Sequence, residues 1–283
     1  MMKRILLTLI MTVAFAASSF AQATITTRKA KVADFTTRTT RMVLTGDAIF
    51  DGAFRQEVSS RWLISPFEFC TREEYEATKT STKYYFLMAV DSRRKKEAEP
   101  GLAVLSLVKG GPEEGDAAVT SFEVLNVPYA SAEDPSGREY VLLPALLDAI
   151  QAYMKEAMMT DTSILGVPGK TCNRLLKAAR MKIVFSSDDI APVAKMPDNA
   201  SDKDIVVMDE DDADELFAAG EPETLVSFVI APSDPSAKGS VCYTMLVSAD
   251  THEIYYCGRH AVKDASKAGF LSDELKLITL TRK

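Results

Sequence analysis

Four short stretches of this chain bring together residue types that chemistry uses. The first is Gly166-Val-Pro-Gly-Lys-Thr171, which has the ending of a phosphate-binding loop. Such a loop curls backbone N–H groups around phosphate oxygens and needs G-x-x-x-x-G-K-[ST] to do so. Here two residues separate Gly166 from Gly169, and Ile164 stands where the leading glycine belongs. The curl is too short, and the stretch reads as a linker with Gly and Pro as punctuation. The second, His252-Glu-Ile-Tyr-Tyr256, begins like the zinc-protease motif but has Tyr256 in place of the second histidine. Its alternation is that of a strand, where residues four apart do not clasp a metal as they do on a helix. His252 and His260 are the only histidines, so an all-histidine catalytic zinc site is excluded. His252, in a hairpin turn, reads as solvated, and His260 as an ordinary exposed histidine.

The acidic run Asp209 to Glu215 invites a calcium loop. Counted from Asp209, Ala213 falls at a ligand position, Asp214 where the turn needs Gly, and Gly220 where the loop needs Glu. Acidic residues at a helix N-terminus are favoured by the macrodipole, and that accounts for the run. The cysteines are the fourth group. Cys70, Cys242 and Cys257 lie in apolar strand patterns, where a buried, inert thiol is the usual state. In an oxidising compartment Cys242 and Cys257, which flank one hairpin, are the expected disulfide. A thiol nucleophile would need Cys172, His252 or His260 to converge with carboxylates in space. No complete catalytic constellation emerges, and no residue is nominated as catalytic, cofactor-binding or metal-ligating.

The elements that would position these residues fall into two halves with the same punctuation. Arg41 to Phe50 and Arg180 to Ile190 each read as a strand running into a helix start. Phe67 to Ala77 and Ile205 to Glu215 each read as a short strand followed by an acidic helix start. Thr71 with Glu74 makes a capping box there, with Asp209 and Asp212 at the equivalent positions. Thr82 to Val90 then answers Thr224 to Pro232, with Phe86 set against Phe228. Gly101 to Val108 answers Gly239 to Val247, and Ser121 to Val127 answers Glu253 to His260. Helical patterns close the halves, from about Tyr140 to Met158 and about Ala265 to Leu280. Phe50, Phe54, Val58 and Trp62, spaced by four, predict the buried stripe of a helix over about Asp47 to Trp62. The second half has lost that helix, because Pro192 and Pro197 interrupt Ala191 to Asp204. The expected fold is α/β: two related β-α-β-α-β-β-β-α modules with mixed sheets, an internal duplication.

The N-terminus sets the remaining bounds. Met1-Met-Lys-Arg4, the apolar run Ile5 to Ala17 and the small residues Ser18 to Ala21 have the order of a secretory signal peptide. Cleavage is expected after Ala21, with Ala23 the alternative. Residues 1–21 are then the signal peptide, 22–160 the first module and 161–283 the second. No cysteine precedes Cys70, which leaves no N-terminal lipid acceptor, and no transmembrane anchor is expected. With 47% hydrophobic and 26% charged residues the chain has globular composition. Its formal charge of −7 disfavours nucleic acid as a partner, and losing Lys3 and Arg4 makes it more negative still. The basic run Arg93 to Lys96 is followed by Glu97 and Glu99 and reads as a solvated hairpin tip.

This element order resembles uncharacterised secreted bacterial α/β proteins. It is also similar, in element order alone, to the N-terminal module of the Tol-system propeller protein and the periplasmic domain of the curli secretion lipoprotein. The resemblance rests on no functional motif and carries over no site residue. It implies a module that binds other envelope proteins. The expected protein is non-enzymatic, periplasmic or secreted, without cofactor, and acts as an interaction or ligand-binding component of the cell envelope. Its partner is an envelope protein or a small ligand. The alternative is a hydrolase-like enzyme with its site in the cleft between the modules.

Overall fold

Apolar runs of period two set the strands. The structure is a computed structural model that describes residues 32–94, 96–111, 121–159 and 172–282. Strand β1 (Thr39–Val43) buries Thr40 and Met42 and leaves Thr39 and Arg41 half-exposed. It lies between β2 (Phe67–Cys70) and β3 (Tyr84–Ser92), parallel to both. Parallel neighbours need crossovers, and helices α1 (Ala48–Arg61) and α2 (Arg72–Thr78) supply them. β4 (Leu102–Gly110) and β5 (Ser121–Ser131) then extend the sheet as an antiparallel meander. The order is β2-β1-β3-β4-β5, and α3 (Arg138–Met159) follows.

The second sheet contains β6 (Cys172–Asn173), β7 (Lys182–Ser186), β8 (Ile205–Met208), β9 (Thr224–Ile230), β10 (Val241–Ser248) and β11 (Ile254–Ala261). Its order is β6-β11-β10-β9-β7-β8, with β7 parallel to β8 and β9 and the remaining pairs antiparallel. Read from β8, five strands run in the order and sense of the first sheet, and β6 adds an edge. Helix α4 (Glu210–Ala218) links β8 to β9, and α5 (Ser272–Leu280) follows β11. Between β7 and β8 there are only 3-10 turns, at Ser187–Asp189 and Ser201–Lys203. The prolines do exclude a regular helix there.

Both sheets bury their facing sides against one layer of helices. Met42, Leu87 and Leu105 from the first sheet join Val184, Val226 and Met245 from the second in a single apolar cluster with α1, α3 and α4. The expected stripe is fully realised: Phe50, Phe54, Val58 and Trp62 are all buried. Each such side chain contributes about 1.5–3 kcal/mol. Helix α3 buries Leu142, Leu143, Leu146, Leu147, Ile150, Tyr153 and Met154, more than one stripe, because it is covered from both sides. The outer face of the second sheet packs Phe185, Leu225 and Leu246 against Phe270 and against Leu275 and Ile278 of α5. The outer face of the first carries a smaller cluster, Val43, Phe86, Met88 and Val108, with Tyr75 of α2.

Three expectations change. Phe86 belongs to an outer cluster and Phe228 to the central one, so these two are not equivalent positions. A one-residue offset reverses the face of every strand side chain. Thr71 and Glu74 do form a reciprocal capping box, whereas Asp209 stands at the N-cap of α4 without a side-chain bond. The last helix begins at Ser272, since the chain first makes a 3-10 turn at Ala265–Lys267. Gly269 follows at φ +120°, where a Cβ would stand 2.6 Å from the Asp189 carbonyl oxygen. That close approach lets Phe270 N–H donate to Asp189 O at 2.7 Å. The segment expected to be a signal peptide, Gly166 to Thr171 and the boundary between residues 160 and 161 lie outside the described residues. Among the described residues no helix is long and apolar enough to cross a membrane.

Candidate functional site

The most concentrated polar chemistry lies where α3 meets the second sheet. Arg138, the first residue of α3, inserts its guanidinium between three elements of the second half. Nη1 meets Asp189 Oδ1 at 2.8 Å, Nε meets both oxygens of Asp214 at 2.9 and 3.1 Å, and Nη2 donates to the Ser227 carbonyl at 3.0 Å. The ring of Phe228 lies beneath, its centroid 4.7 Å from the guanidinium carbon. Ser227 Oγ donates to Asp189 Oδ2 at 2.5 Å and accepts from Ser186 N–H at 2.9 Å. Glu210 approaches at 3.6 Å. Beside the cluster is a cleft of about 210 Å³, lined in part by Tyr129, Ser136, Glu139 and Glu210.

Burial sets the electrostatics. It raises the Asp189 carboxyl above its ordinary range, with Arg138 and Ser227 pulling the other way. Asp214 and Glu210 are raised for the same reason, again opposed by Arg138. Burial works against the guanidinium too, but Asp189 and Asp214 raise its pKa on balance, and it stays charged. Each nitrogen of its fork donates to an acceptor of the second half, so the guanidinium is engaged within the protein. Ser227 is fully buried and has an acid beside it but no histidine. The arrangement therefore ties the halves together and assembles no nucleophile.

A second cluster does the same at the far end of α1. Asp148 of α3 accepts from Arg61 Nη1 at 3.2 Å and lies 2.7 Å from His252 Nδ1. The His252 ring stacks on Phe217 of α4, with centroids 5.6 Å apart and planes at 27°. His252 takes φ +57° in the β10–β11 turn, and its side chain is 15% exposed. The solvated turn histidine expected from sequence is thus a docked one.

His260 and Glu274 belong to a third cluster, on the outer face of the second sheet. Glu274 caps α5 through Leu271 N–H at 2.9 Å and accepts from Thr244 Oγ at 2.7 Å and Tyr256 OH at 3.0 Å. Burial and then Glu274 raise the Tyr256 phenol. His260 Nε2 lies 2.9 Å from the Lys267 carbonyl oxygen, and its Nδ1 is 3.8 Å from Glu274. Cys172 borders the same surface hollow, but its thiol packs with Cys257 on the inner face. Sheet parity therefore keeps Cys172 apart from His260 and Glu274, and no thiol–imidazole pair forms there.

The expected Cys242–Cys257 disulfide is not formed. Cys242 stands opposite His260 and Cys257 opposite Met245, three positions further along and on the other face. Burial pushes the Cys242 thiol up to about 12 and the Cys70 thiol to about 11, in keeping with inert buried sulfur. Among the described residues no group of three His, Cys, Asp or Glu side chains is placed to hold a metal ion. Of the acidic run, Glu210, Asp211 and Asp212 occupy the first turn of α4, while Asp214 turns in to Arg138. The cluster around Arg138 was invisible in the motifs, because its members come from four elements.

No protein-family model, no curated protein and no solved structure matches this chain.

Proposed function

We propose that this is a non-enzymatic periplasmic or secreted protein, built by internal duplication, that binds an extended segment of another envelope protein along β8. The carrying observation is the edge itself. β8 is the outermost strand of its sheet, and its Ile205-Val-Val-Met208 has no lysine or proline of the kind that blunts natural edges. Val206 and Val207 are 38% and 44% exposed. Pairing along such an edge uses main-chain hydrogen bonds for affinity and alternate side chains for specificity. Asp202 and Asp204 precede the strand and Asp209 to Asp212 follow it, so a partner segment flanked by basic residues fits best. The shared strand order of the two sheets supports the duplication, and the polar clusters closed between the halves support a non-catalytic role.

The test is a photoreactive side chain at position 207 in the full chain, expressed with its leader and irradiated in the intact envelope. A discrete adduct that is absent with the probe at exposed Leu63, and lost when Val206→Lys is added to the chain that carries the probe at 207, is the expected result. Adducts equal at both positions, or none, would remove the edge reading. Weight would then move to a hydrolase-like enzyme in the cleft beside Arg138, a reading favoured by the raised carboxylates of Glu210 and Asp214.

A further inference from the structure

Strand pairing brings together two cysteines that do not share a hairpin. Cys172 of β6 stands directly opposite Cys257 of β11. Opposed residues of an antiparallel pair send their side chains to the same face, and both of these pack against the central apolar cluster. Arg174 N–H donates to Tyr255 O at 2.7 Å, which makes 172 and 257, two positions along, a pair of the hydrogen-bonded class. Cα atoms in such pairs are about 5.5 Å apart, inside the roughly 4.4–6.8 Å that a disulfide spans. Neither other cysteine competes: Cys242 is on the opposite face of the sheet, and Cys70 is in the other sheet.

We propose that Cys172 and Cys257 form a disulfide that fastens β6 to the edge of the second sheet. The oxidant is an external disulfide, of a small thiol or of a thiol oxidoreductase. The Cys172 thiolate, the more exposed of the two, attacks one sulfur of the donor. The donor S–S bond breaks and its other sulfur leaves with the electron pair. The Cys257 thiolate then attacks the Cys172 sulfur of the mixed disulfide and displaces the second donor sulfur. Two protein thiols are oxidised, one donor disulfide is reduced to two thiols, and their protons pass from cysteine to donor. Burial raises the Cys172 thiol, against the pull of Arg174, so exchange quickens as the pH rises.

The bond has work to do at this place. β6 is two residues long and, among the described residues, pairs only with β11. A covalent tie there closes a loop that contains β7 to β10, and long loops gain most from closure. Geometry alone decides whether the bond can form, so the inference goes beyond the proposed function and does not rest on export.

The purified full chain is equilibrated in mixtures of oxidised and reduced glutathione, alkylated under denaturing conditions, and digested without reduction. The expected product is a peptide joining Cys172 to Cys257, with Cys70 and Cys242 alkylated. The oxidised protein should melt higher than the reduced one by roughly 10 °C, and Cys172→Ser and Cys257→Ser should each abolish that difference. Full alkylation of Cys172 and Cys257 at every glutathione ratio would overturn the proposal. So would a bridge to Cys242, or a melting shift that survives in Cys172→Ser. Glutathione supplies the oxidant in the tube, so this outcome is separate from any result in the envelope.

Discussion

Arg138 and Asp189 stand 51 residues apart in the chain and 2.8 Å apart in space, one from each half of the molecule. The contact is desolvated, with Asp189 3% exposed, and Asp214 completes the clasp on the other side of the guanidinium. Such a cluster contributes modestly when whole and costs a great deal when broken, because the remaining charge stays buried.

Arg138→Met breaks it. The substitution strands Asp189 and Asp214 beside Phe228, and the expected loss is about 3–5 kcal/mol in urea unfolding. Arg138→Lys should recover little of it, since an ammonium cannot bond Asp214, Asp189 and the Ser227 carbonyl in one plane. Removing Asp189 as well, in Arg138→Met with Asp189→Leu, should recover part of the loss. A loss below about 1 kcal/mol in the single variant would mean that water reaches the cluster.

Two aspartates should respond to pH with opposite signs. Burial raises Asp214 in the folded state above its ordinary value of 3.8, against Arg138. Its contribution to stability is therefore fully present below that value and is lost as pH rises through the folded pKa. For Asp34, burial raises and the bonds from Tyr85 and Lys109 lower, with the net direction downward from 3.8. Its contribution is present above 3.8 and is lost as pH falls through the folded pKa. Urea melts at several pH values between about 3 and 7 should show the advantage of the native chain over Asp34→Asn growing with pH. Its advantage over Asp214→Asn should shrink over the same range. Slopes of the same sign would show that burial does not dominate at Asp214.

The sequence made the local signals of this fold readable. Spacing by four marked Phe50, Phe54, Val58 and Trp62; Thr71 and Glu74 marked a helix start; Pro192 and Pro197 marked a missing helix. Each is a local preference that the tertiary structure leaves intact. The shared core was legible in principle. Tyr140 to Tyr153 is apolar on nearly every side, the pattern of a helix covered twice. The polar clusters were not legible. Arg138 lies 76 residues from Asp214, and Asp148 lies 104 from His252. Nothing local distinguishes those charges from solvated ones. Sheet parity decided the cysteines, and parity depends on a register that sequence fixes only loosely.

Gly258 tests the third cluster. A Cβ there would stand 2.4 Å from Glu274 Oε1 and 2.5 Å from Thr244 Oγ1. Gly258→Ala must therefore push the carboxylate off Thr244 and loosen the start of α5, at an expected cost of about 1–3 kcal/mol. Glu274→Gln keeps the volume and one acceptor, and should cost less. If Gly258→Ala melts with the native chain, Glu274 is free to move and does not anchor the helix.

The ring contact between His252 and Phe217 can be isolated by a double-mutant cycle. Asn tolerates the positive φ at position 252, so His252→Asn removes the ring without straining the turn. Phe217→Ala removes the other face of the stack and also empties part of the central core, so its single effect is the larger one. The two losses should fall short of additivity by about 0.5–1.5 kcal/mol, the range for stacked aromatic pairs. Asp148→Asn supplies the control, because it weakens the polar contact to Nδ1 and leaves the stack in place. Additivity within about 0.3–0.5 kcal/mol between His252 and Phe217 would mean that the histidine is held by Asp148 alone. The β10–β11 turn would then be tied to α3 and not to α4.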